Sequence, residues 1–291
     1  MSKPIAESEL IITPDGEIYH LKLRPENLAD TVIVVGDQGR VEQISAHFDN
    51  IECKVQNREF VTHTGTFRGK RITALSTGIG TDNIDIVLNE LDALSNIDLQ
   101  TRTIKPGHRK LRIVRIGTSG ALQADIPVDS FVASSHGMGF DGLLNFYGNI
   151  EKVDHPEIAR AFMAHSGWTP QMPYPYVAAA SASLLQTVAH DMIRGITATA
   201  PGFYGPQGRE LRLPAALPDL NEKLTAFRHG DLRICNFEME TSALYGLSKL
   251  MGHEACTVCA IIANRVIRQY SKDYHPVIDR LIRTVLERLA V

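Results

Sequence analysis

Four short, largely apolar runs, the first of them β-branched, stop abruptly at polar or glycine-containing stretches. Thr31–Val35 ends at Gly36, and Leu111–Ile116 runs into Gly117-Thr118-Ser119-Gly120. Leu232–Phe237 runs into Glu238-Met239-Glu240, and Ala255–Ala263 runs into Asn264-Arg265. Runs of this length and composition read as buried strands. Segments with helical spacing lie between them, such as Ile84, Val87, Leu88 and Leu91, and later Val277, Ile278, Leu281, Ile282, Val285 and Leu289. Strands that alternate with amphipathic helices predict an α/β fold rather than a bundle or a sandwich. The 291 residues are read as one domain, 1–291, with no internal repeat.

Further elements fill the pattern. The spacing predicts helices at Arg40–Phe48, Pro156–Ser166, Ala180–His190 and Glu238–Met251, the last stopped by Gly252. Phe60–Thr66 and Arg71–Ser76 read as strands paired through Arg68-Gly69-Lys70, and Phe131–Ser135 as another strand. Residues 96–110 are a polar excursion, and 137–149 a glycine-containing segment expected to move. Residues 200–218, rich in Gly and Pro, form a long loop of the kind that often carries function.

Composition narrows the chemistry. A net charge of −3 provides no basic field, so no nucleic-acid partner is expected, and any oxyanion must be held by local arginines. No apolar run suits a bilayer, and Met1–Leu10 is polar, without the apolar stretch of a signal peptide. Four cysteines are too few for a disulfide scaffold, and a cytoplasmic location is the expectation. Cys256 and Cys259 make a CxxC inside an apolar run with no second ligand pair, which reads as buried strand rather than a redox or metal site. Gly137-Met138-Gly139-Phe140-Asp141-Gly142 matches GxGxxG, but it does not open a helix of an early βαβ unit, so no dinucleotide is expected.

Chemistry concentrates at the strand ends, where ligands of open α/β sheets gather. In Asn236-Phe237-Glu238-Met239-Glu240-Thr241, two carboxylates flank a thioether. A carboxylate accepts two hydroxyl protons at once and Met offers a soft apolar face, a combination that suits the vicinal diol of a ribose. Arg40 follows the first strand and Arg115 ends the second. A guanidinium fork matches phosphate oxygens, and a cation at the end of an apolar strand calls for an anionic partner, either a ligand or an internal carboxylate. Taken alone, Glu238 and Glu240 could equally be first-turn acids favoured by the helix dipole, Arg40 a surface residue, His20 an exposed N-terminal histidine, and Phe203 a core aromatic.

Gly36-Asp37-x-x-Arg40, Arg115-Ile116-Gly117-Thr118-Ser119-Gly120, Phe203-Tyr204-Gly205-Pro206-Gln207-Gly208-Arg209 and Glu238-Met239-Glu240, in that order, resemble the nucleoside phosphorylases, uridine phosphorylase branch, over about Thr31–Arg265. The resemblance implies a central mixed sheet flanked by helices, and phosphorolysis of uridine to uracil and ribose 1-phosphate. It implies phosphate binding by Gly36, Arg40, Arg115 and Thr118, with Arg58 reaching in from a neighbouring subunit. It implies ribose binding by Met239 and Glu240, with Glu238 a lesser candidate, and by His20 across the subunit interface. Base binding falls to Ser119, Gly120, Phe203, Gln207 and Arg209. Arg40, Arg115, Gln207 and Arg209 would carry catalysis, with no covalent nucleophile and no cofactor; phosphate is a co-substrate. The implied minimal unit is a homodimer, with assembly to a hexamer open. Some relatives hold a monovalent cation at the interface through a residue matching Glu59 and a Ser that is Asn83 here; no metal is assigned. Gln207 both donates and accepts at the uracil imide edge. Asn264 stands where purine-specific relatives place an acid. The rival readings are a broader or purine-specific phosphorylase, a nucleosidase using water, and a non-catalytic nucleoside-binding protein.

Overall fold

The computed structural model describes residues 3–291; Met1 and Ser2, part of the polar Met1–Leu10 stretch, lie outside the described residues. In chain order, β1 (Thr31–Val35) and α1 (Gln38–Ser45) are followed by β2 (Asn50–Asn57), β3 (Phe60–Phe67) and β4 (Lys70–Ser76). Next come α2 (Thr81–Asn96), the small hairpin of β5 (Ile97–Asp98) and β6 (Thr103–Ile104), then β7 (Arg112–Ala121) and β8 (Phe131–Gly139). The second half holds α3 (Pro156–Ser166), β9 (Val177–Ala179), α4 (Ala182–Ala189), β10 (Ile193–Thr199), α5 (Leu220–Ala226), β11 (Arg228–His229) and β12 (Leu232–Glu238). It ends with α6 (Thr241–Leu250), β13 (Glu254–Asn264), β14 (Gln269–Tyr270) and α7 (His275–Leu289). Among the described residues no helix is long and apolar enough to cross a membrane.

The sheet is mixed, in the order β11-β12-β10-β8-β13-β7-β1-β4-β3-β2. A further antiparallel contact, Asn236 with Ala121 and Phe237 with Gly120, joins β12 back to β7. Strands β7, β13, β8, β10 and β12 therefore close into a ring, while β1, β4, β3 and β2 extend from it as an open wing. Closure brings the C-terminal ends of β7 and β12 side by side, although they are more than a hundred residues apart in sequence.

Helices α4 and α7 cover one face through Leu184, Val188, Ile278, Leu281 and Val285; α2 and α6 cover the other through Val87, Leu91, Leu244 and Leu247. Burying such side chains stabilises by about 1.5–3 kcal/mol each. The N-terminal arm lays Leu10, Ile18, Leu21 and Leu23 on the α2 side. Arg102, from the 96–110 excursion, bonds Leu10 O and braces this arm. That excursion is the β5–β6 hairpin rather than an open loop.

Several expectations are revised. Gly117–Gly120 does not end the second strand, because β7 continues to Ala121, paired with β13 and β12. A Cβ at Gly117 would lie 2.2 Å from Arg115 Nη1, so this glycine makes room for the arginine instead of forming a turn. Gly137 and Gly139 belong to β8, and a Cβ at Gly137 would stand 2.7 Å from Ser242 Cα. That glycine pattern lets α6 sit directly on the sheet. Strands β2 and β10 were not anticipated. All four cysteines are free; Cys256 packs in the α4–α7 core, Cys259 lies under Arg115, and burial pushes their thiols up to about 12 and about 11.

Candidate active site

A cavity of about 880 Å³ opens over the ends of β1, β7, β12 and β13. Each wall has a local origin. Strand β1 stops at Gly36 and Asp37 caps α1 by accepting from Gly39 N at 2.9 Å, which turns Arg40 back over the sheet. Arg40 is 9 % exposed; among the described residues its guanidinium makes one hydrogen bond, to Ile116 O at 3.2 Å, and no carboxylate pairs with it. Burial pushes its pKa below the ordinary arginine range, with Asp37 opposing. A nearly buried cation without a counter-ion is costly unless a ligand supplies one.

Arg115 is better partnered. Its Nη2 bonds Glu240 Oε2, its Nη1 lies 3.3 Å from Glu238 Oε2, and its Nε has no partner. Burial alone would depress Arg115, but Glu240 and Glu238 more than offset it and raise the pKa. Glu240 is the N-cap residue of α6, and its Oε1 accepts Gly80 N at 2.9 Å. Gly80 sits at φ +99°, so the glycine loop before α2 reaches Glu240 in a conformation that other residues rarely adopt.

The expectation that Glu238 also meets the ribose is not supported by its surroundings. Oε1 accepts Thr199 Oγ1 at 2.7 Å, and Oε2 accepts Glu240 N and Thr241 N, both at 2.9 Å. Glu238 borders the cavity but is committed to capping α6 and to Arg115. Burial pushes its pKa up while Arg115 opposes.

Across the cavity, Gln207 is 4 % exposed and its Oε1 accepts Arg209 Nη1 at 2.6 Å. The Arg209 guanidinium stacks 3.8 Å from the centroid of the Phe203 ring and also bonds Phe203 O. Burial pushes the Arg209 pKa down, and so does Arg265. Arg265 ties the loop to β13 by bonding Gln207 O and, at 3.4 Å, Gly208 O. Ser119 and Gly120 also line the cavity; Ser119 Oγ accepts from Asn236 Nδ2 at 2.8 Å.

The structure therefore gathers Gly36, Arg40, Arg115, Thr118, Ser119 and Gly120 with Phe203, Gln207, Arg209, Met239 and Glu240 around one cavity. His20 and Arg58 do not line it. They form a separate surface patch, with the Arg58 guanidinium 5.9 Å from the centroid of the Tyr19 ring. Asn264 is turned away: its amide donates to Gln123 O and Ile126 O and accepts Val266 N and Ile267 N. Ile262 and Ala263 border the cavity in its stead, so no acid from β13 faces the base side. The glycines of Thr77–Asn83 mark a close backbone approach in the sequence, and Gly80 makes one to Glu240; Thr199, Arg265 and the cavity-lining Tyr270 carried no such signal. Glu59 and Asn83 border the cavity, and Asn83 Nδ2 donates to Ile79 O at 3.3 Å.

Asp92, His108 and His253 also group closely enough to suggest a metal. His253 Nδ1 accepts Leu111 N at 3.2 Å, which leaves the neutral ring no lone pair for an ion, and Nε2–H faces Asp92 Oδ1 at 3.2 Å. The cluster is a clip between α2 and the α6–β13 turn.

Residues 30–286 match the model of the phosphorylase superfamily. A solved nucleoside phosphorylase from Trypanosoma brucei, described as showing uridine phosphorylase activity, superposes with a TM-score of 0.88 at 30 % identity, covering 96 % of this chain and 99 % of its own. A uridine phosphorylase of Thermococcus kodakarensis is 29 % identical over 94 % of this chain and 86 % of its own length. A DeoD-type purine nucleoside phosphorylase of Colwellia psychrerythraea is 25 % identical over 83 % of this chain and 85 % of its own.

Proposed function

The chain belongs to the phosphorylase superfamily, and from that premise we propose that it is a uridine phosphorylase, a pentosyltransferase that converts uridine and phosphate into uracil and ribose 1-phosphate. One observation carries the reading: the unpaired Arg40, the Gln207–Arg209–Phe203 group and Glu240 line one cavity.

Phosphate binds to Arg40, Arg115, the Gly36 amide and Thr118, and supplies the counter-ion that Arg40 lacks. Glu240 keeps lone pairs beyond those given to Arg115 and Gly80, and these accept the ribose 2′- and 3′-hydroxyls. Met239 packs on the sugar. A phosphate oxygen forms the new bond to C1′ as the C1′–N1 bond breaks, and the electron pair leaves with uracil. The carboxylate of Glu240 and the phosphate stabilise the positive charge that develops on the ribose. Arg209 and the Gln207 amide stabilise the uracil anion; a donor of this kind is typically worth about 3–4 kcal/mol of barrier. Arg209 already bonds Gln207 Oε1, which orients the amide before substrate arrives. The absence of a β13 acid on the base side favours uracil over a purine, whose N7 needs a proton.

Arg58 and His20 lie outside the cavity and complete the site of a second copy, so the working unit is a homodimer. Four unpaired cysteines support a reducing, cytoplasmic setting. Incubation with uridine tests the reading: uracil appears only when phosphate is present, together with ribose 1-phosphate. Equal release without phosphate identifies a nucleosidase, preference for inosine or adenosine a purine phosphorylase, and binding without turnover a sensor.

A further inference from the structure

We propose that Glu90 is a positioning residue that makes His20 Nε2 a hydrogen-bond acceptor toward the ribose 5′-hydroxyl in the partner's site; this rests on the reading above. Glu90 lies on α2, and its carboxylate takes three donors from one turn of the N-terminal arm. His20 N donates to it at 3.0 Å, Leu21 N at 2.8 Å, and His20 Nδ1 stands 2.6 Å from Oε1. Asn57 Nδ2 donates to His20 O at 2.7 Å and fixes the same turn from the other side. A carboxylate only accepts, so the proton of the neutral imidazole sits on Nδ1 and Nε2 is left bare. The His20 side chain is 27 % exposed, and among the described residues no group bonds Nε2.

Next to Asn57, Arg58 adopts a left-handed φ of +53°, so one turn pins His20 and aims the arginine outward. The patch is thus prearranged, with Glu90 setting which nitrogen faces out. A bare Nε2 accepts the proton of a 5′-hydroxyl and repels a 5′-ether, whose oxygen can only accept.

Glu90→Gln isolates the effect. One amide oxygen still accepts His20 N and Leu21 N, but the amide NH₂ now donates to Nδ1 and moves the ring proton to Nε2. In the imidazole ¹⁵N spectrum, with His20 assigned against a His20→Gln variant, the proton is expected on Nδ1 in the wild type and on Nε2 in Glu90→Gln. A proton on Nε2 in the wild type overturns the proposal whatever the enzyme's activity. For kinetics, kcat/KM is compared for uridine, 5′-deoxyuridine and 5′-O-methyluridine. The wild type should favour uridine over 5′-deoxyuridine by about 3- to 10-fold, the worth of one neutral hydrogen bond. In Glu90→Gln the 5′-deoxyuridine value should stay within about twofold, while the ether gains about 3- to 10-fold relative to it. An equal loss on all three substrates marks Glu90 as merely structural and overturns the proposal. A wild type that turns over uridine and 5′-deoxyuridine alike removes His20 from the ribose but leaves phosphorolysis standing. A wild type inactive on all three with phosphate present overturns the reading of function, while the ¹⁵N spectrum still decides the tautomer.

Discussion

Replacing Arg40 with Met should cripple activity while leaving stability nearly unchanged, and the equivalent change at Arg115 should lower both. Met fills the space of the Arg40 stem without the charge. The structure loses one hydrogen bond, to Ile116 O, worth about 1 kcal/mol, and is relieved of an unpaired buried cation. Folding stability should therefore change by less than about 1 kcal/mol. Phosphate loses two charge-assisted hydrogen bonds of about 1.5–3 kcal/mol each, so kcat/KM for phosphate should fall roughly 10²- to 10⁴-fold. Arg115→Met strands Glu238 and Glu240, both buried, without their cation, at a cost of about 3–5 kcal/mol. That corresponds to a Tm lowered by roughly 6–15 °C. Initial rates at saturating uridine with phosphate varied, together with thermal melts with and without phosphate, measure both quantities. The wild type should gain Tm from phosphate and Arg40→Met should not. A folded Arg40→Met protein that keeps its kcat/KM for phosphate within tenfold, or one as unstable as Arg115→Met, would refute the reasoning.

Arg209→Ala and Gln207→Ala should each lower kcat/KM for uridine by about 10²- to 10³-fold, with Tm little changed, since the loop is also held by Arg265; steady-state rates and melts check this. If sites are shared across a two-fold axis, Arg40→Met mixed one-to-one with Arg58→Ala under subunit exchange should recover about a quarter of wild-type activity, read as rate against mixing ratio. Gly137→Ala drives a Cβ to within 2.7 Å of Ser242 Cα and displaces the α6 N-terminus that carries Glu240. It should lower stability by about 1–3 kcal/mol in urea melts and reduce kcat. His136 is held neutral, its pKa pushed by burial and His155 from 6.5 down to about 4. The unfolded chain binds the extra proton between these values, so stability should fall as pH drops from about 6.5 to 4. The loss should be about 2 kcal/mol once partial exposure is allowed for, and His136→Gln should flatten that limb in pH-dependent melts.

Much of the site was legible because its residues stand where an apolar run stops. Gly36, Arg40, Met239 and Glu240 each follow a strand whose hydrophobicity announces it, and Thr118 follows the apolar run within β7. What was not legible depends on partners distant in sequence. Asn50–Asn57 alternates apolar and polar side chains, yet Asn, Glu, Lys and Gln mask a strand whose only neighbour among the described residues is β3. Ile193–Thr199 contains Arg194 and Gly195, poor strand formers alone, and is held between β8 and β12. Glu238 and Glu240 look alike in sequence; only Thr199 and the Thr241 amide on one side, and Gly80 on the other, divide them into a helix cap and a cavity-facing carboxylate.

The division between those two carboxylates follows from ring closure. Pairing β12 with β7 places Phe237 beside Gly120, and so brings the carboxylates to the end of the strand that bears Arg115. Two carboxylates this close at a helix N-terminus would otherwise repel. A single guanidinium lies between them, with helix amides beneath Glu238, and offsets their mutual repulsion. Arg115 is thus the hinge of the electrostatics and cannot be a free phosphate ligand before phosphate arrives, because its Nη groups are already directed at carboxylates. On the proposed reading, Arg40, which has no such partner, makes the first strong contact. Phosphate capture should therefore respond steeply to Arg40, whereas a Glu240→Gln variant, which frees Arg115 Nη2 of its charged partner, should bind phosphate more tightly while turning over uridine more slowly. Isothermal titration with phosphate alone measures the first effect; weaker phosphate binding in Glu240→Gln would contradict this order of contacts.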